Sequence, residues 1–463
     1  MEVIQKLKVV EVLRVSPPSG SVPETSLPLT FFDVFWMRIP PVQRLFFYEF
    51  SESNTITTAH FLQSLLPNLK HSLSLTLQLF YPLSANLRLS PQTDEYEIHY
   101  VDGDSVSLTV AESTAEIFHQ LVADKPKDTK GFYPLVPNLP TSSSLLALQV
   151  TLFPKAGISI GICFHHVAAD GRSLTHFMKS WSSINKTGDL SSIAPLPSYN
   201  RAVIKDPGAL KKMFTDQMAQ IKFEKSVERT RVDDPARATF VLTRCDIERL
   251  RKRVTPRVDP DRIRFSTFAL ACGDEVVCFS FWADCRTRLN PPVPDTYFGN
   301  CIASVFAEAN GRNLGGDEGL VTAAEAIGRA VERLGDGVLR GAENWIPKYA
   351  SMANKRIILV AGSPRFRVYE TDFGWGRPRK TEVVSIDRTE GVYIGDSRDE
   401  EGGIEFGLVT LFPNSGICIG YCLHHAVADG RSVTQFMKSW SSINRAGDAS
   451  LIATFPSLRQ GFG

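Results

Sequence analysis

The sequence predicts a mixed α/β or α+β protein built as two lobes of similar size. Three observations carry that reading. At 463 residues the chain is too long for one ordinary domain, taking roughly 150 residues per domain as a prior. Strand-like alternation and helix-like spacing take turns along its whole length. A stretch with neither pattern, Asn185 to Gly208, holds Gly, Ser, Pro and Lys and reads as a linker or crossover. The partition that follows is 1–190 for the first lobe, 191–220 for the linker, 221–408 for the second lobe and 409–463 for a terminal block.

The elements follow in order. Lys6 to Val15 alternates loosely and reads as a strand, and Ser16 to Pro28 reads as a loop. Leu69, Leu73, Leu77 and Phe80 keep helical spacing, with Pro67 near the start, where proline is tolerated. Ile158, Ile160, Ile162 and Phe164 alternate as in a strand. Gly171 then lets the chain turn. Leu174, Phe177, Met178 and Trp181 fall at i, i+3, i+4, i+7, an amphipathic helix. Thr239 to Leu242 predicts a strand, and Asp246 to Arg253 a helix capped by Asp246. Val321 to Leu334 and Asn344 to Asn354 predict helices. Arg356 to Val360, Glu382 to Ile386 and Ile404 to Phe412 predict strands.

Composition narrows the function. The chain is 43% apolar with 29 Phe and 6 Trp, which excludes disorder. Net charge is +1, so no global basic field exists to hold nucleic acid or an anionic membrane. An anionic ligand must meet a local cluster. None of the eight cysteines forms C-x-x-C, and most sit in apolar runs, which fits a reducing compartment. Met1 to Val15 is not a signal peptide, and no apolar run nears the roughly 18 residues of a membrane helix. The expectation is a soluble cytoplasmic protein.

Val150 to Pro197 recurs at Val409 to Pro456, with 33 of 48 positions identical. One long, close repeat is not a solenoid. It reads as a recent copy of one segment, placed at the end of the chain.

Chemistry concentrates at Phe164-His165-His166-Val167-Ala168-Ala169-Asp170-Gly171. Adjacent side chains at a strand end point to opposite faces, so His165 and His166 cannot share one task. Histidine titrates near neutrality and is the usual general base. A base needs its ring oriented, and a nearby Asp can supply that.

At this point the sequence resembles the plant BAHD acyltransferases, which use acyl-CoA donors. His166 to Asp170 match their H-x-x-x-D motif. Asp372-Phe373-Gly374-Trp375-Gly376 match their D-F-G-W-G. Tyr297-Phe298-Gly299-Asn300-Cys301, Leu29 to Asp33 and Pro40 to Tyr48 resemble the anthocyanin and phenolic glucoside malonyltransferase branch. The resemblance spans about residues 1 to 408.

The resemblance implies two chloramphenicol-acetyltransferase-like lobes with the active site between them. It implies His166 as general base, activating a hydroxyl of a phenolic or flavonoid glucoside to attack malonyl-CoA. The acyl-CoA is a co-substrate; no bound cofactor, metal, nucleic acid or membrane is implied, and the chain would be a monomer. Cys163, the nearest thiol, falls on the face of His165, so no acyl-enzyme is expected. Asp170 pairs with Arg286 and shapes the site. Asp372, Gly374, Trp375 and Gly376 give structural support, and the Trp375 indole is a weaker candidate oxyanion donor. Ser266, Thr267, Arg377 and Lys380 are candidate CoA contacts, with Arg379 in the same basic cluster. Asp33, Arg44, Tyr297 and Asn300 are candidate substrate contacts, and Arg44, Arg172 or Arg286 could read a malonyl carboxylate.

Two departures bear on activity. The copied block replaces the family's usual ending and brings a second H-H-x-x-x-D-G at His424 to Gly430; His425 and Asp429 are not expected to act. Phe268 to Asp284 is short by roughly a dozen residues against the family pattern, and Asp274 and Glu275 would be costly in a buried helix. An impaired relative that only binds CoA or phenolic ligands is therefore the alternative. A condensation domain shares H-H-x-x-x-D-G, but D-F-G-W-G and Y-F-G-N-C oppose it. Cys418, Cys422, His424 and His425 have unusual spacing for a zinc site, and Asn310 to Asp317 lacks the Lys-Ser/Thr of a phosphate loop.

Overall fold

The computed structural model describes residues 7–51, 56–125, 127–193, 195–221, 236–254, 278–309, 319–351, 357–388 and 391–410. Ser266, Thr267, Asn310 to Asp317 and the copied block beyond residue 410 lie outside the described residues. So does all of the shortened segment before Cys278.

The protein is a mixed α/β fold with two sheet-bearing bodies, as the pattern predicts. A six-stranded sheet runs, in spatial order, Lys8–Val15, Val106–Glu112, Leu146–Phe153, Gly157–Phe164, Val42–Glu49, Lys380–Val383. A seven-stranded sheet runs Ile302–Glu308, Cys278–Asp284, Ile357–Ala361, Val392–Asp396, Ile404–Thr410, Ala236–Leu242, Lys127–Asp128. Each sheet thus ends on a short strand from the opposite part of the sequence. Among the described residues no helix is long and apolar enough to cross a membrane.

The Gly157–Phe164 strand is central and antiparallel to both neighbours. Ile158, Ile160, Ile162 and Phe164 enter the main core. The opposite face carries Gly157, Ser159, Gly161 and Cys163, all buried too. A Cβ on Gly161 would sit 2.1 Å from the Leu135 carbonyl oxygen. The alternation is therefore large against small, because chain packs on both faces.

The helix Gly171–Thr187 closes over that strand. Leu174, Phe177, Met178 and Trp181 are each at most 2% exposed. At about 1.5–3 kcal/mol per buried side chain, this stripe fixes the helix on the sheet. Trp181 Nε1 donates to Ser72 Oγ at 3.1 Å, in the helix Leu66–Leu79 that buries Leu69, Leu73 and Leu77.

Some local expectations shift. The cap of the helix Arg244–Val254 is Thr243, not Asp246. Asp246 is three residues inside and accepts from Thr243 N at 3.0 Å while its own N–H donates to Thr243 Oγ1 at 3.2 Å. This reciprocal pair satisfies two donors that an Asp cap would satisfy singly. The strand expected at Glu382 to Ile386 is Lys380–Val383, followed by a 3-10 turn. Gly171 serves a close approach: a Cβ there would meet Phe366 at 2.8 Å.

Candidate active site

His166 lies just past the Gly157–Phe164 strand, and Asn300 just before the strand Ile302–Glu308. Their contact joins the two sheets. His166 Nδ1 lies 3.0 Å from Asn300 Oδ1. Asn300 Nδ2 donates to Asp33 Oδ1 at 2.9 Å and to the His166 carbonyl at 2.8 Å. Both partners only accept, so the amide nitrogen must face them and its oxygen must face the ring. His166 Nδ1 therefore carries the proton, and Nε2 keeps a free lone pair.

The ring plane is set separately. The Trp36 indole lies over the imidazole with centroids 3.6 Å apart and planes 15° apart. Burial pulls the His166 pKa down to about 4, and the Asp170 charge only partly offsets it. His165 is buried, and its Nδ1 accepts from Val167 N at 3.2 Å. The two histidines indeed have different surroundings.

Asp170 caps the helix Gly171–Thr187, accepting from Ser173 N at 2.9 Å. Its other oxygen meets Arg286 NH1 at 2.8 Å and accepts from Cys301 N at 3.2 Å. Asp170 and Arg286 are each 1% exposed. Arg286 also donates to the carbonyls of Tyr297 and Gly299, at 3.1 and 3.2 Å. The loop 297–301 is thus tied to both ends of the H-x-x-x-D motif. Gly299 has φ +149°, and a Cβ there would lie 2.0 Å from Arg201 NH1, so only glycine fits.

All four candidate substrate contacts are buried in the fold. Asp33 is 0% exposed and accepts from Thr30 N and Oγ1 at 2.8 and 2.7 Å; it anchors Asn300. Tyr297 is buried, its hydroxyl accepting from Arg201 NH1 at 2.6 Å. Arg44 is buried over the Tyr393 ring. Asn300, the fourth, is 0% exposed and faces His166. Arg172 pairs with Asp284 and Asp295 at 2.9 and 3.1 Å.

The loop Asp372 to Gly376 is ordered by its own aspartate. Asp372 Oδ1 accepts from Gly374 N and Gly376 N, both at 2.8 Å, and Oδ2 meets Lys186 at 2.6 Å. Trp375 packs on Tyr48 and Phe373. Tyr48 pairs with Ile158, six residues before Phe164, roughly 20 Å away at about 3.3 Å per residue. Trp375 is therefore no oxyanion donor for chemistry at His166. Lys380 is buried in a strand and lies 3.5 Å from Glu382, so it does not offer a surface phosphate contact. Arg379 is partly exposed, 3.7 Å from both Glu49 and Asp124, and Arg377 is exposed.

Two residues here were not singled out from sequence. Trp36 stands three residues after the recognised Asp33, in an aromatic run that reads as plain core. Arg201 sits in the supposed linker; a lone Arg between Tyr199 and Val203 was the only signal.

The fold and this histidine, held between two sheets, point to a class of transferases. The chain belongs to the Transferase family, the BAHD acyltransferases: the family's model matches residues 6–411 and matches again over 407–459, the copied block. The malonyl-coenzyme A:anthocyanin 3-O-glucoside-6''-O-malonyltransferase of Dahlia pinnata is 34% identical, over 89% of this chain and 96% of that protein. Phenolic glucoside malonyltransferase 1 of Nicotiana tabacum is 37% identical, over 83% and 91%. A coumaroyl-CoA:anthocyanidin 3-O-glucoside-6''-O-coumaroyltransferase of Arabidopsis thaliana is 35% identical, over 88% and 94%. Crystalline vinorine synthase shares the fold, with a TM-score of 0.64 at 17% identity, covering 88% of this chain and 95% of that one.

Proposed function

We propose that the chain moves an acyl group, malonyl first, from acyl-CoA to a glucose hydroxyl of a phenolic or flavonoid glucoside, with His166 as general base. The observation that carries this is the Asn300 contact, which leaves the Nε2 lone pair of His166 free. Nε2 takes the hydroxyl proton as the oxygen attacks the thioester carbonyl. The tetrahedral intermediate collapses, and the proton passes to the departing CoA sulfur. No acyl-enzyme is needed. Cys163 lies on the other face of the strand, and burial holds the Cys285 and Cys301 thiols far above their usual range. Asp170 acts through the loop it holds, not on substrate. Arg377 is retained as a CoA phosphate contact. Use of an acyl-CoA, and cysteines that form no disulfide among the described residues, support a cytoplasmic setting in a reducing compartment.

The test pairs the full chain with His166→Ala. Each is incubated with malonyl-CoA or coumaroyl-CoA and a panel of phenolic and flavonoid glucosides, and products are read by mass spectrometry. A malonylated glucoside is expected, with the rate falling by about 10²–10⁴ in the variant. That loss would also show that His425 of the copied block does not substitute. Equal turnover by a folded variant would overturn the assignment, and a coumaroyl product alone would reassign the donor.

A further inference from the structure

A cavity lies away from the His166–Asn300 contact. It has a volume of about 320 Å³, within the range of small-molecule sites, and opens along the strand Ile302–Glu308. Its floor is apolar, with Phe306, Leu334 and Trp345. Its rim carries Arg333, Arg340 and Lys348 against one acid, Asp336. Arg333 donates to the Phe306 carbonyl at 3.4 Å, and Lys348 sits 4.7 Å over the Phe306 ring and 3.0 Å from Glu308. Arg340 is exposed; its backbone N–H donates to the Gly337 carbonyl at 2.9 Å, and its guanidinium makes no hydrogen bond or ion pair among the described residues.

A chain of packed aromatic rings, of which Trp282 and Tyr349 are partly exposed, connects this cavity to His166. Phe306 packs on Tyr349 at 4.9 Å, and Tyr349 stacks on Trp282 at 5.9 Å. Trp282 meets Trp36 at 4.6 Å, and Trp36 covers the His166 ring. From Asn300 to Phe306 is six residues, roughly 20 Å of strand at about 3.3 Å per residue. Only an acceptor much longer than a simple phenol glucoside reaches so far.

We propose that this cavity is a remote acceptor subsite, which binds a carboxylate at the far end of an extended phenolic glycoside. The proposal rests on the acyl-transfer reading above. The partly exposed Trp282 and Tyr349 rings match the body of such an acceptor, and the guanidinium groups match a carboxylate at its end. The contact is solvent-facing, so it should weaken as salt screens it.

The experiment uses two flavonol diglycosides, identical except that the sugar remote from the reacting glucose is glucose in one and glucuronic acid in the other. Kd for each is measured by tryptophan fluorescence on His166→Ala protein, and KM on the wild type. The acidic glycoside should bind about three- to tenfold more tightly at low salt. That ratio should collapse to one in an Arg333→Gln, Arg340→Gln double variant, and in the wild type at high salt. Equal Kd values for the two glycosides, or a ratio that survives in the double variant, would overturn the subsite. A double variant that instead weakens binding of CoA itself would assign the cavity to the donor, which also overturns it. The binding arm needs no turnover, so failure of the acyl-transfer reading shows separately, as a preserved Kd ratio in a chain that makes no product.

Discussion

His166 and Asp170 stand four residues apart, yet their surroundings differ in every respect that matters. His166 is partly open, stacked under an indole and hydrogen-bonded to a neutral amide. Asp170 is sealed, capping a helix and paired with a buried guanidinium. One short motif thus holds a reactive group and an architectural one. The amide matters: with no carboxylate against its ring, His166 stays neutral, and its burial costs no ion pair.

The largest way to break this contrast is at Asp170. Asp170→Asn removes the buried charge partner of Arg286 and leaves it only the part-exposed Asp284, 3.2 Å away, which should cost up to about 3–5 kcal/mol. Urea unfolding checks this. Unchanged stability with lost turnover would instead make Asp170 a chemical participant.

At Asn300 the contrast can be sharpened through pH. With His166 held down to about 4, its neutral form persists at all higher pH. The rate on the acid side should therefore stay flat down to about pH 5 and fall only as pH drops through about 4. Asn300→Asp places a negative charge on Nδ1–H, favours the imidazolium and should move that fall upward by about one unit or more. A pH profile of kcat/KM on both proteins checks it. Asn300→Ala frees the tautomer but leaves the ring under Trp36, so its kcat loss should be about tenfold or less, read from initial rates. The smallest effect is expected at Trp375, which lies far along the strand from His166. Trp375→Phe should alter kcat by less than about twofold, and a larger loss would return the indole to the reaction.

The sequence carried the motifs, the central strand and helix, and the residues that meet at the site. His166, Asp170, Arg286 and Asn300 are all found there. Depth was harder to read. Asp33, Tyr297, Arg44 and Lys380 have the chemistry of ligand contacts, but in the fold they face inward. A polar residue type does not say which way its strand or turn will face, because that depends on what packs from elsewhere in the chain. Arg201 shows the same limit in reverse. Its loop carries no periodic signal, and its place is fixed by Gly299, nearly a hundred residues later. The short segment before Cys278 raised the concern of a damaged core, yet the strand Cys278–Asp284 pairs on both sides and delivers Arg286 to Asp170.

The exchange of edge strands has a consequence for how the protein is made. The six-stranded sheet takes its last strand from Lys380–Val383. A chain emerging from the ribosome has most of that sheet early, but its Val42–Glu49 edge must wait for more than three hundred further residues of translation. Until then an apolar strand edge stays open, the kind of surface that chaperones shield. The six-stranded sheet is therefore closed only after most of the chain has been made.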